Sequence, residues 1–107
     1  RIRALAVTSA KRSSAMPELP TVMESGVPGY ETTTWHGWLG PAGLPRDIVA
    51  KLNAELARAV RSRDVLDKLS DDGGEAVAGS PEHFRDHIAT EIARWRKVAR
   101  DAGMRVE

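Results

Sequence analysis

Two histidines with helical spacing are the first candidates for metal chemistry in this sequence. His83 and His87 are four residues apart, so on a helix both imidazoles would lie on one face, as two ligands of a zinc ion can. The residues between them are F-R-D, without the Glu that follows the first histidine of the zincin motif. We therefore interpret the pair as solvent-facing, and keep a metal-dependent hydrolase as a third and much weaker alternative.

The other reactive side chains form no catalytic pattern. His36 is a lone histidine among apolar neighbours, where a packed polar role is the commoner one, and adjacent carboxylates occur only at Asp71-Asp72, in a turn. The sequence has no nucleophile elbow, phosphate loop or dinucleotide fingerprint. The absence of cysteine excludes disulfides and thiolate chemistry. We predict a protein that is not an enzyme and uses no metal or cofactor.

A pair of hydroxyl residues is a better candidate for ligand binding. Thr8 and Ser9 directly follow the apolar run at 2–7, and Lys11 and Arg12 come next. Small hydroxyls at the end of a buried strand are typical of ligand-binding loops in open α/β sheets; a solvated turn is the alternative. Arg12 would add positive charge, although an exposed loop arginine is more often solvated.

Length and charge limit the classes of protein that remain. The 107 residues are one small domain or a piece of a larger one. Sixteen basic and 15 acidic residues are well mixed, which argues against nucleic-acid binding, since that function needs a basic face. No apolar run approaches the ~18 residues of a membrane span. Because the chain opens on Arg1 and an apolar run, we expect a fragment or a processed product.

The elements that must position these residues alternate between strand and helix, which favours an α/β fold with an incomplete sheet. Apolar and β-branched runs predict strands at 2–7, 32–39 and 75–78. Helical periodicity predicts one turn at 21–25 and helices at about 45–62, 63–70 and 81–102. Thr21 and Glu24 form a capping box, and Ser80 is the expected N-cap of the last helix. Trp95 lies on that helix's apolar stripe and is expected in the core, while 104–107 is expected to be a frayed or strand-like tail.

The segment 34–45, T-W-H-G-W-L-G-P-A-G-L-P, cannot be a plain helix, because Pro41 and Pro45 lack the backbone donor. It resembles the tryptophan crossing of the Bug-type extracytoplasmic solute receptors of tripartite tricarboxylate transporters. Five further blocks resemble the C-terminal part of that family: R-A-L-A-V-T-S-A-K-R at 3–12, L-P-T-V-M-E-S-G at 19–26, V-P-G-Y-E at 27–31, V-A-K-L-N-A-E-L at 49–56 and E-I-A-R-W-R-K-V at 91–98. Trp38 and Gly40 depart mildly from the expected Leu or Ile and Ala.

The resemblance implies the C-terminal portion of a two-lobed, type II periplasmic-binding-protein fold with long C-terminal helices. Residues 1–31 would end the second lobe, 32–44 would form the hinge crossing and its turn, and 45–107 would be the C-terminal part of the first lobe. The family captures small organic acids, commonly carboxylates, in the periplasm and passes them to a membrane permease. Much of the carboxylate-binding apparatus would lie in an N-terminal part of the same protein, behind a signal peptide.

Within this chain we expect ligand contacts at Thr8 and Ser9, with Trp35 and His36 as hinge or cleft-wall residues. An autonomous module whose long helices dock a protein partner is the second interpretation. For the chain by itself we predict self-association, with exchange of the 32–39 strand between copies as one route, because exposed apolar strands pair with neighbours.

Overall fold

The computed structural model describes residues 2–104. Helix α1 spans Arg46–Val60, α2 spans Arg63–Asp71 and α3 spans Pro81–Asp101. All three helices are confirmed, each with both ends within two residues of the predicted bounds. None of the described helices is both long enough and apolar enough to cross a membrane. Of the tail predicted at 104–107, only Met104 falls within the described residues.

Helix α3 begins and ends as its sequence predicts. Ser80 has extended backbone angles, φ −75° and ψ 161°, and its hydroxyl accepts a hydrogen bond from the His83 backbone N–H at 3.2 Å. Pro81 then occupies the first turn, where the N–H it lacks would have no helical partner. After the helix, Gly103 has φ +67°, a left-handed conformation that glycine adopts without penalty.

The strands predicted at 2–7, 32–39 and 75–78 are wrong as hydrogen-bonded elements of the described structure. Residues 2–104 contain no strand, and the only β pairing is an isolated parallel bridge between Val7 and Thr21. An apolar or β-branched run becomes a strand only where a neighbouring strand accepts and donates its backbone hydrogen bonds. In the described structure these runs are not helical, and no described segment pairs with them to form a strand. Ala78, the last residue of the third run, has φ +45°, outside the extended region.

Among the turns of the described residues, two follow one another between Thr21 and Tyr30. The predicted turn at 21–25 is present: the Ser25 N–H donates to the Thr21 carbonyl at 3.0 Å, without continuing into a helix. Val27 to Tyr30 then form a second turn, closed by a 3.2 Å hydrogen bond from the Tyr30 N–H to the Val27 carbonyl. Gly29 has φ +75°, which a type II turn requires at its third position.

The chain divides into two units, Arg1–Leu39 with Ala59–Val77, and Gly40–Arg58 with Ala78–Glu107. The boundary after Leu39 lies inside the predicted crossing at 32–44. Residues 59–77 group with the N-terminal unit, whereas the predicted lobes place them with 45–107. Lobes are defined by the sheets that build them, so the division into lobes stays a prediction.

Apolar side chains of the described residues remain at least partly exposed. Thr21, a polar residue that is 2% exposed, is the one buried residue in the range 2–104. Trp95, which we expected in the core, is 47% exposed, and its indole N–H donates to a Glu91 carboxylate oxygen at 3.0 Å. An apolar helix stripe becomes core only where a second element covers it, so the placement of Trp95 in the core is wrong for this structure.

Candidate functional site

The loop that carries Thr8 and Ser9 begins at the Val7–Thr21 bridge. The Val7 N–H donates to the Pro20 carbonyl at 2.9 Å, and the Val22 N–H donates to the Val7 carbonyl at 2.9 Å. These two hydrogen bonds flank the buried Thr21 on both sides. They fix the point at which the chain leaves the bridge and enters the loop.

The two predicted hydroxyl residues have different surroundings. Thr8 has an exposed side chain, and its backbone carbonyl accepts a hydrogen bond from the Thr32 N–H at 2.9 Å. Ser9 is half-buried, and its hydroxyl donates to the Lys11 carbonyl at 2.7 Å. A serine hydroxyl has a single proton, so a carboxylate that takes a hydrogen bond from Ser9 must compete with the Lys11 carbonyl.

Arg12 lies against an acidic residue of the following turn. Its Nε donates to the two Glu24 carboxylate oxygens at 3.0 and 3.4 Å, and its Nη1 donates to the Pro17 carbonyl at 3.3 Å. About half of each side chain is exposed, 47% for Arg12 and 49% for Glu24. The positive charge that sequence reasoning offered to a ligand is thus paired within the protein.

Glu24 is held by the capping box that its spacing from Thr21 predicts. Its carboxylate accepts a hydrogen bond from the Thr21 N–H at 2.8 Å, and its own N–H donates to the Thr21 hydroxyl at 3.0 Å. The backbone N–H of Thr21, followed by the Arg12 side chain, lowers the pKa of Glu24 below its ordinary value. The carboxylate therefore stays ionised, and its position is fixed by the most buried residue of the loop region.

Trp35 and His36 lie in the extended segment that follows Thr32. Trp35 is 40% exposed and His36 is exposed as well. The hydrogen bond from the Thr32 N–H to the Thr8 carbonyl connects this segment to the loop that carries Thr8 and Ser9. Thr32 is three residues before Trp35. The backbone thus links the two groups of predicted ligand residues, and their contact with a ligand stays a prediction.

The histidine pair and the surface groove offer no comparable arrangement. His83 is exposed and His87 half-buried in the first two turns of α3, and residues 2–104 hold no group of three or more His, Asp or Glu placed to share a metal ion. An open groove in the second unit is lined by Arg46, Asn53 and Arg85 among others, and by none of the four predicted ligand residues.

Sequence reasoning missed the pairing of Arg12 with Glu24. The sequence predicted a capping box for Glu24 and a possible ligand-binding charge for Arg12, but it did not indicate that the two meet. They are twelve residues apart, with Pro17 and Pro20 between them. No periodicity connects such a pair. The structure brings them together because the Val7–Thr21 bridge closes the segment 8–20, which contains Arg12.

Comparison with known proteins gives a family match over almost the whole chain. The family model described as the tripartite tricarboxylate transporter family receptor matches residues 1–104. A UPF0065 protein encoded in the tcbD–tcbE intergenic region of Pseudomonas sp. strain P51 is 42% identical over 99 residues, which is 92% of this chain and 30% of that protein. The chain thus spans less than a third of the length of this relative.

Two solved structures share the fold. The R. palustris protein Rpa4515, solved with adipate, is 46% identical with a TM-score of 0.81, over 94% of this chain and 34% of its own. The periplasmic binding protein BugD is 31% identical with a TM-score of 0.83, over 95% of this chain and 35% of its own. The expected fold class, a portion of a periplasmic binding protein, is confirmed, and so is the resemblance to Bug-type receptors.

Proposed function

Because the chain belongs to the tripartite tricarboxylate transporter receptor family, we propose that it acts as the C-terminal part of a receptor for a small organic carboxylate. The receptor captures this ligand in the periplasm and delivers it to a membrane permease of the tripartite class. The similarity to Rpa4515, a protein solved with adipate and 46% identical to this chain, is the observation that supports the proposal most.

The binding site in this proposal includes the loop after Val7. Thr8 supplies a hydroxyl donor for a carboxylate, and Ser9 supplies a second one when its hydroxyl turns from the Lys11 carbonyl to the ligand. Trp35 and His36 form part of the hinge or cleft wall. The remaining contacts come from residues outside this chain. Neutral donors suit a carboxylate, because hydrogen bonds to an ionised acceptor are stronger than those between neutral groups.

Transport requires that the receptor change shape when it binds. In the proposed mechanism two lobes close on the carboxylate because the ligand binds the closed form more tightly than the open form. Residues 1–31 and 45–107 belong to different lobes, and the crossing at 32–44 absorbs the change in backbone angles. The permease then recognises the closed receptor.

The proposed receptor is not an enzyme and does not bind nucleic acid. We prefer it to the autonomous interaction module because the family match covers residues 1–104 and not the helices alone. The relative BugD is named as a periplasmic binding protein, which supports a periplasmic location.

Calorimetry on the product of the complete open reading frame tests the proposed function. We expect one adipate, or one related dicarboxylate, to bind per receptor, and the neutral analogue 1,6-hexanediol not to bind. Ligand at 100 times its Kd should raise the free energy of unfolding by about 2.7 kcal/mol. Replacing Thr8→Val should weaken binding, whereas Thr90→Val, which removes an exposed hydroxyl from α3, should not. A receptor that binds no carboxylate across a series of chain lengths would contradict the proposal.

A further inference from the structure

The five residues from Thr8 to Arg12 form a loop that is fixed at both ends. At the first end, the hydrogen bonds of Val7 to Pro20 and Val22 hold the chain at the bridge. At the second end, Arg12 contacts Glu24 through both carboxylate oxygens. Thr8 and Ser9 lie between these two points, so their freedom to move is limited by the bridge and by the ion pair together.

The anchor for Arg12 is itself immobilised. Glu24 accepts a hydrogen bond from the Thr21 N–H at 2.8 Å and donates one to the Thr21 hydroxyl at 3.0 Å, and Thr21 is 2% exposed. Arg12 also donates to the Pro17 carbonyl at 3.3 Å. One guanidinium therefore connects the loop, the proline-rich linker and the capped turn.

We propose that Arg12 is a positioning residue. Through its ion pair with Glu24 it holds Thr8 and Ser9 in place for the carboxylate of the ligand, and Arg12 does not itself contact the ligand. This inference rests on the proposed function. Two nitrogens of Arg12, Nε and Nη1, donate to acceptors within the protein, and the Glu24 carboxylate offsets the positive charge of Arg12. Holding a binding loop in its bound conformation raises affinity, because less conformational entropy is lost when the ligand binds.

The direction of the effect of Glu24→Gln separates positioning from direct contact. Glutamine keeps an oxygen that can accept the Thr21 N–H, but it removes the charge that pairs with Arg12. If Arg12 positions the loop, Glu24→Gln weakens adipate binding. If Arg12 contacts the ligand, Glu24→Gln releases a guanidinium charge and strengthens binding.

The experiment measures adipate affinity by calorimetry for the complete receptor and its variants. We expect Arg12→Ala to weaken binding about tenfold, Arg12→Lys to weaken it less, and Glu24→Gln to weaken it too. The double variant Arg12→Ala/Glu24→Gln should lose less affinity than the sum of the two single losses, because both changes break the Arg12–Glu24 ion pair. The control Arg58→Ala breaks the exposed Arg58–Glu55 pair of α1, at 2.8 Å, and should leave the affinity unchanged.

Hydrogen exchange on the ligand-free receptor provides a readout that does not depend on adipate. In Arg12→Ala the amide of Thr32, which donates to the Thr8 carbonyl, should exchange faster, and the amides of α3 should not change. Equal Thr32 exchange in the two proteins, tighter binding by Glu24→Gln, or additive losses in the double variant would each overturn the inference. An unmodified receptor that binds no carboxylate, with the exchange difference present, would instead refute the proposed function and with it the binding role of Arg12.

Discussion

At the scale of single residues, Glu24 combines a local and a long-range role. The local role is the capping box with Thr21, in which each residue's N–H donates to the other's side chain. The long-range role is the ion pair with Arg12, at 3.0 Å. Both interactions need the ionised carboxylate to reach full strength, because hydrogen bonds to charged groups are the stronger ones.

This dependence on ionisation predicts how stability changes with pH. The Thr21 N–H and the Arg12 side chain lower the folded-state pKa of Glu24 below its ordinary 4.5. The ionised carboxylate therefore stabilises the fold at pH values above 4.5, and this contribution is lost as the pH falls through the folded pKa. In urea unfolding of the complete receptor, Glu24→Gln should be less stable than the unmodified protein at neutral pH.

The difference in unfolding free energy between the unmodified receptor and Glu24→Gln should then narrow as the pH falls below 4.5. Glutamine does not titrate, so the pH dependence of the variant's stability gives the contribution of all the other titratable groups. A stability difference that stays constant from neutral pH into the acid range would show that the charge of Glu24 does not contribute.

At the scale of elements, the start of α3 combines an N-cap hydrogen bond with an acidic residue in the first turn. Ser80 caps the His83 N–H, and Pro81 follows. Glu82 lies in the same turn, and hydrogen bonds from its own backbone N–H and then from the Ser80 side chain lower its pKa. A negative charge in the first turn also interacts favourably with the helix dipole.

We predict that Ser80→Ala lowers the free energy of unfolding of the complete receptor by about 1 kcal/mol, the usual contribution of an N-cap hydroxyl. Chemical unfolding monitored by circular dichroism measures the change. Ser70→Ala, at an exposed position inside α2, is the control and should cause no loss. Equal effects of the two substitutions would mean that the cap does not stabilise α3.

At the scale of the whole molecule, many large apolar side chains of the described residues are exposed. In the first unit Leu39 is 80% exposed, Trp38 78% and Leu5 73%. A hydrophobic side chain of this size contributes about 1.5–3 kcal/mol when it is fully buried, so leaving several of them in water favours any partner that covers them. Extended segments without a paired neighbour add unsatisfied backbone groups to that tendency.

We therefore predict that the 107-residue chain, produced alone, self-associates. Light scattering should show a mass above that of the monomer that rises with concentration, and Trp38→Ser should reduce it. The control Lys51→Ser changes an exposed polar position in α1 and should have no effect. A monomer of constant mass at high concentration would contradict the prediction.

The sequence by itself determined the helices, the caps and the turns of this protein. These features depend on residues within four positions of one another, as in the Thr21–Glu24 capping box and the Ser80 N-cap, and such local chemistry can be read directly. The family was also determined by the sequence, because six ordered blocks carry it along the chain.

Only the tertiary structure decided which extended segments are paired and which charges meet. Whether 2–7 or 32–39 is a strand depends on a neighbour that supplies backbone hydrogen bonds, and whether Trp95 is core depends on an element that covers it. The pairing of Arg12 with Glu24 depends in the same way on the Val7–Thr21 bridge, which closes the segment 8–20 and places Arg12 near the turn that carries Glu24. Contacts of this kind are set by packing between distant parts of the chain, and local residue type and spacing do not reveal which distant parts meet.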